Sequence, residues 1–205
     1  MNKVIFTIAA LSLVAGILLA TTLLPTKPIK LQAGTWFGDK ARALPEFVLY
    51  DRHKKAFGPE QFKDKWTLLF FGYTNCPDIC PDSLQMLANM MQQVEDDDIK
   101  KQIQVMFVSV DPERDTPEKL HKYVTYFNPD FLGATADIPK LQVLTKALGI
   151  MHYTTKTEES KVKYDVAHSS AIILINPKAE YNGLFSAPHD SRSLASDMQL
   201  IIGNS

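Results

Sequence analysis

Residues 66–81 read Trp66-Thr67-Leu68-Leu69-Phe70-Phe71-Gly72-Tyr73-Thr74-Asn75-Cys76-Pro77-Asp78-Ile79-Cys80-Pro81. The first seven make a continuous β-prone apolar run stopped by glycine, the pattern of a central strand buried on both faces. Beyond Pro81, Leu84, Leu87, Met91 and Val94 recur at helical spacing and give a helix with one apolar face. The stretch is therefore a buried strand, a polar loop carrying two cysteines, and a helix. In open α/β sheets, ligand sites gather at the carboxyl ends of strands, which is where this loop falls.

Working outward, Phe47 to Tyr50 predicts a short strand ending in the polar turn Asp51 to Lys55. Ile103 to Val110 is a second nearly continuous, valine-rich strand. The loop Asp111 to Asp115 follows. Asp115, with Glu118 three residues on, or Thr116 ahead of Pro117, supplies the N-cap of a helix whose buried stripe is Leu120, Tyr123, Val124 and Phe127. Asp137 to Leu148 predicts a further helix closed by Gly149. Residues 150–166 read as an irregular polar hairpin or excursion. Ala171 to Ile175 and Tyr181 to Phe185 are two strands joined by the turn at Asn176 to Ala179, and Ser191 to Ile202 is a closing helix. The acidic run Glu95 to Asp98 reads as a solvated helix end, since aspartates there oppose the dipole and help terminate the helix. Strands alternating with helices point to an α/β sandwich around a mixed sheet.

A chain of 205 residues fits one domain plus a short appendage, and an apolar fraction of 45% supplies a core without disulfide staples. The 22 basic and 23 acidic residues give a net charge of −1 with no long block of either sign. That argues against nucleic acid as the main partner, because phosphate binding needs a basic surface. After Lys3, residues 4–24 carry no charge and are long enough to cross a bilayer as a helix. Leu18-Leu19-Ala20 lacks the first small residue of a cleavage signal, so residues 1–24 read as an uncleaved membrane anchor rather than a cleaved signal peptide. Lys27 and Lys30 follow the span, so the positive-inside count does not orient it alone; the amine and Lys3 favour an inside start and an exported domain. With no Arg- and Ser-rich transit sequence ahead, the expected location is a bacterial inner membrane with the soluble part facing the periplasm. Residues 25–42, broken by Pro25, Pro28, Gly34 and Gly38, read as a tether, and residues 43–205 as the folded domain.

The two cysteines stand four positions apart, and each directly precedes a proline, which biases it away from helical angles. Pro81 suits the first helical position and puts Cys80 at or near the N-cap. The unpaired amides and positive dipole end there favour thiolate, the form that binds metal or attacks disulfides. Thioredoxin-like oxidoreductases use Cys-x-x-Cys, whereas three residues intervene here. The residues alone leave three readings open. They are a structural disulfide or inert thiols, a redox dithiol, and two sulfurs gripping a soft ion with a third ligand from elsewhere.

Gly72-Tyr73-Thr74-x-Cys76-Pro77-Asp78-x-Cys80-Pro81, then Ser109-Val110-Asp111-Pro112-Glu113-Arg114-Asp115-Thr116, then His168-Ser169 together resemble the Sco/SenC family, over roughly residues 43–202. The resemblance implies a thioredoxin-like fold on an N-terminal membrane anchor. It implies copper, Cu(I) or Cu(II), held by the thiolates of Cys76 and Cys80 and the imidazole of His168. It implies a metallochaperone without enzymatic turnover, whose partner is the copper-bearing subunit of cytochrome c oxidase. One departure stands out: many members carry an acidic residue immediately before the histidine, where this chain has Ala167, with Asp165 three residues away.

Among five histidines, His53 lies in a basic turn and His121 on an exposed helix face, while His168 stands directly ahead of a strand. Two thiolates plus one imidazole suit Cu(I) and also hold Cu(II). Rival readings remain: a thiol–disulfide oxidoreductase with Cys76 as attacking sulfur, or a peroxidase, which needs neither Cys80 nor His168. Met86, Met90 and Met91 offer thioethers to Cu(I), or simply fill the helix core. Asp111 and Asp115 either orient the site or serve the turn and cap.

Overall fold

The apolar runs at residues 66–72 and 103–109 set the architecture, because each has to be covered on both sides. The computed structural model describes residues 30–155, 165–168 and 170–205, and residues 31–205 form one compact unit. In chain order its elements are β1 (Gly34–Trp36), β2 (Arg42–Ala43), β3 (Leu49–Tyr50), β4 (Ala56–Phe57) and β5 (Trp66–Gly72). Then come α1 (Ile79–Gln93), α2 (Asp97–Gln102), β6 (Ile103–Ser109), α3 (Pro117–Phe127), β7 (Leu132–Ala134) and α4 (Ile138–Ala147). The chain continues through β8 (His152–Thr155), β9 (Asp165–His168), β10 (Ile172–Ile175), β11 (Glu180–Phe185) and α5 (Ser191–Gly203).

The main sheet runs β1-β11-β10-β5-β6-β7, with β2 also pairing β11. It is mixed. β5, β6 and β7 are parallel, whereas β10 lies antiparallel to β5, with Ile172 opposite Phe70. Because side chains alternate along a strand, β5 feeds two cores. Trp66, Leu68 and Phe70 pack with α1, α3 and α5 through Leu84, Leu87, Leu120, Val124, Met198 and Ile201. Leu69 and Phe71 pack on the opposite face with Leu141 and Leu144 of α4 and with Phe47, Leu49 and Phe62. That double burial is the reason the run contains no charged residue.

Several boundaries differ from the sequence reading. Helix α1 begins at Ile79 with Asp78 at its N-cap, so Pro81 is its third residue and Cys80 lies inside the first turn. Proline is tolerated there because the first turn's amides have no intrahelical acceptor to lose. The acidic run does not end α1. Asp96 accepts from the amides of Asp98 and Ile99 and caps the short helix α2. Thr116, not Asp115, caps α3, accepting from the Lys119 amide at 3.2 Å.

The folded unit also starts earlier than Ala43. Residues 31–42, expected as tether, contain β1 and the first residue of β2, and both strands pair with β11. The fully buried Asp197 of α5 explains why. Its carboxylate accepts from the amides of Gln32 (2.8 Å), Ala33 (2.8 Å) and Gly34 (3.2 Å) and so fastens the segment. Among the described residues no helix is long and apolar enough to cross a membrane; the expected anchor at residues 1–24 lies outside them.

A chain beginning at Leu31 should therefore unfold in one cooperative transition. One beginning at Ala43 leaves Asp197 buried without its three donors, a loss of about 3 kcal/mol. Its thermal midpoint should be lower by about 6–12 °C for a domain of this size. Equal midpoints by circular dichroism would show that residues 31–42 hold nothing.

Candidate metal centre

β5 ends at Gly72, and α1 begins seven residues later. The Val110 amide donates to the Gly72 carbonyl (2.9 Å) and the Cys76 amide to the Tyr73 carbonyl (3.2 Å), so the intervening loop is tightly turned. Glycine at 72 is a requirement of space. A β-carbon there would stand 2.6 Å from Cys80 Sγ and 2.7 Å from the Phe107 ring. The Cys80 sulfur thus sits directly over the end of the central strand.

The two cysteines are free thiols of unequal exposure: Cys76 is half-buried and Cys80 fully buried. Both pack against the same core cluster, and the two side chains are near enough for Cys76 to act on the Cys80 thiol. Burial pushes the Cys80 thiol far up from its ordinary value; a backbone hydrogen bond with Tyr73 opposes this, and the neighbouring Cys76 charge adds to it. At Cys80, burial thus opposes the helix terminus, which favours thiolate. Desolvation outweighs the dipole. A bound cation reverses that balance, because a coordinating thiol is deprotonated outright.

The loop stands on a polar platform supplied by the segment after β6. Asp115, with its side chain out of solvent, accepts from the Thr74 amide (2.8 Å), the Thr74 hydroxyl, the Ser109 hydroxyl (2.7 Å) and Lys119 Nζ (3.1 Å). Lys119 Nζ reaches on to Asn75 Oδ1 at 2.9 Å and to the Arg114 carbonyl at 3.1 Å. Buried Asp111 pairs with Arg114, whose guanidinium lies 5.5 Å from the centre of the Tyr73 ring. Thr74, Asn75 and Tyr73 are the three residues before Cys76, so both aspartates act by holding the cysteine loop. Sequence reasoning left Asp115 between orienting the site and capping a helix. The signal was the density of Asp, Ser, Thr and Arg at residues 109–116, but spacing could not show which groups were buried together.

His168 is the last residue of β9, and the register sets it opposite His152 of β8. Four residues later β10 starts, with Ile172 opposite Phe70 near the end of β5 that carries the cysteines. His189 Nε2 donates to the Ser170 carbonyl at 2.8 Å and fixes the chain between the two strands. His53 and His121 lie elsewhere, both contacting the Arg52 guanidinium at the surface. Met90 is buried in the core, and Met86 and Met91 pack against it, as filler rather than ligands. Among the described residues no three His, Cys, Asp or Glu side chains assemble into a metal site.

Residues 38–203 match the SCO1/SenC family. The chain belongs to that family. A protein of Stutzerimonas stutzeri whose name proposes copper binding is 35% identical, over 77% of this chain and 76% of that one. The human mitochondrial protein SCO2 homologue is 36% identical over 69% of this chain, which spans about half, 51%, of the longer relative. The crystal structure of Arabidopsis thaliana ScoI with copper bound superposes with a TM-score of 0.70 at 32% identity, covering 78% of this chain and 98% of that one. The α/β thioredoxin-like architecture expected of a Sco protein is the one observed.

Two outcomes follow from this Sco site. In the reduced, metal-free protein at neutral pH, iodoacetamide should label Cys76 at least about tenfold faster than Cys80, because each pKa unit of elevation removes tenfold of the reactive thiolate. Peptide mass mapping reads the ratio, and equal labelling would show that Cys80 is not held protonated. Asp115→Ala should lower unfolding free energy by about 1–3 kcal/mol in urea, since the Thr74 amide and Ser109 hydroxyl lose their acceptor. It should also speed Cys76 labelling. An unchanged midpoint would mean the loop is held by other contacts.

Proposed function

We propose that this protein is a membrane-anchored metallochaperone that binds copper through Cys76, Cys80 and His168. It passes the ion to the copper-bearing subunit of cytochrome c oxidase during assembly. The observation that carries the reading is the pair of adjacent free thiols at the sheet's carboxyl end, one half-exposed and one buried. Two soft sulfurs with an imidazole form a donor set for Cu(I) that also holds Cu(II). The strand order favours His168 as third ligand, because the chain leading into β10 comes in at the cysteine end of β5. Copper is cargo here. As it binds, the thiol protons leave to solvent, and the half-exposed Cys76 sulfur is the one a partner's thiolate reaches first in ligand exchange. The expected span at residues 4–24 would hold the domain at the bacterial inner membrane, facing the periplasm; proteolysis of spheroplasts, with digestion expected, tests that placement.

A dithiol with one exposed and one buried sulfur also suits thiol–disulfide exchange with a partner, so the test is paired. His168→Ala should weaken Cu(I) binding by at least about tenfold, since losing a direct ligand costs no less than losing its outer support. The same variant should reduce a target disulfide at nearly the original rate, because exchange needs only the sulfurs. Unchanged copper affinity, read by competition with a Cu(I) chelator, would sink the three-ligand site. A collapsed reduction rate beside intact copper binding would favour the oxidoreductase.

A further inference from the structure

A cavity of about 380 Å³ opens beside β7, the edge strand of the main sheet. No residue of the cysteine loop, or of the segment 109–116 that supports it, lines this space. Its size is that of a small-molecule site. Phe57, Met106, Phe131 and Leu132 form an apolar wall, and the exposed side chains of Arg52 and Asp130 form a charged one.

The charges around the cavity are accounted for one by one. Asp51 accepts from the amides of His53 (2.8 Å) and Lys55 (2.9 Å), so its carboxylate is committed to the turn between β3 and β4. Lys54 pairs with Glu118 of α3 at 3.1 Å. Arg52 is held by two imidazoles: Nε donates to His53 Nε2 at 2.9 Å, and Nη1 to His121 Nε2 at 3.3 Å. A guanidinium has donors only, so both imidazoles accept and neither cancels its charge. The Asp130 amide donates to Asn128 Oδ1 at 2.9 Å, which fixes the backbone that carries the carboxylate. Among the described residues, Arg52 and Asp130 form no ion pair with each other or with any other side chain. Two opposite charges thus line one cavity without pairing. A simple anion there would meet Asp130, and a simple cation would meet Arg52. A ligand carrying both charges satisfies both.

We infer that this cavity binds a free apolar α-amino acid. The carboxylate of the ligand meets the Arg52 guanidinium, its ammonium meets Asp130, and its side chain covers the apolar wall. His53 and His121 are positioning residues, which hold the guanidinium while leaving Nη2 without a partner among the described residues. None of these groups takes part in the copper reading, so the two stand or fall separately.

Calorimetric titration of the full-length chain in detergent tests this, with L-phenylalanine as probe and a blank titration into detergent alone. L-Phenylalanine should give saturable heat. 3-Phenylpropionate lacks the ammonium and phenethylamine lacks the carboxylate. Each should bind at least about tenfold more weakly, the scale of one hydrogen bond to a charged group. Arg52→Gln should no longer distinguish L-phenylalanine from phenethylamine, and Asp130→Asn should no longer distinguish it from 3-phenylpropionate. Both side chains are exposed, so both variants should melt with the parent protein. If either melts lower, the analogue comparison on the parent still decides. Lys54→Gln removes a neighbouring cation that does not line the cavity, and should leave affinity unchanged. An equal loss in Lys54→Gln would overturn the inference by showing that only the general positive potential matters. No saturable heat with L-phenylalanine would overturn it outright. Binding of 3-phenylpropionate as tight as that of L-phenylalanine would overturn the amino-acid reading in favour of a plain anion site.

Discussion

The Asp115 carboxylate is the point where the cysteine loop, the end of β6 and the start of α3 meet. Buried without partners, such a charge would cost more than the fold could bear. Here four donors from Thr74, Ser109 and Lys119 converge on it. Because those donors come from separate stretches of chain, the ion can be satisfied only when all of them are in place. The geometry of the loop thus becomes conditional on the whole sheet being formed, and the sulfurs inherit a position that no local preference of residues 73–78 would impose.

Around that anchor the site is graded from wet to dry. Cys76 touches solvent, Cys80 does not, and behind Cys80 lie Gly72, Phe107 and Tyr123. The gradient separates two demands that conflict at a single sulfur. A transferable ion needs an accessible ligand for exchange, while tight holding needs a sulfur shielded from water and competing protons. Burial of Cys80 disfavours its bare thiolate, so a cation bound there would supply the charge that makes the thiolate favourable. A resting protein with a neutral buried thiol is also less reactive toward oxidants, which attack thiolates.

The N-terminal side of the domain follows the same rule as the loop. Asp197 lies wholly inside, and the amides of Gln32, Ala33 and Gly34 surround it. A stretch that reads as linker by its glycines and prolines is drawn into the sheet by one carboxylate far along the chain. Membership of the SCO1/SenC family, matched over residues 38–203, embraces β2 onward. The Asp197 contacts carry the ordered unit a few residues further toward the N-terminus.

What the residues determined by themselves was whatever depends on periodicity and side-chain type. The uninterrupted run Trp66–Gly72 had to be a central strand, the spacing of Leu84 and Leu87 had to be a helix, and two cysteines between them had to sit at a strand's carboxyl end. The chemistry of sulfur made a soft-metal or redox site the natural reading of that loop. Tertiary structure alone decided burial and partnership. Asp115 was legible as a helix cap because Thr116-Pro117 and Glu118 follow it, yet it faces inward, since Thr74 and Ser109 needed an acceptor more than the helix did. Cys80 was legible as a thiolate at a helix end, yet the Phe107 ring and the absent side chain of Gly72 close it off from water. Residues 31–42 were legible as tether, yet Asp197 claims their amides. In each case the deciding contact joins residues far apart in the chain, and local sequence carries no record of which distant group will remove its water.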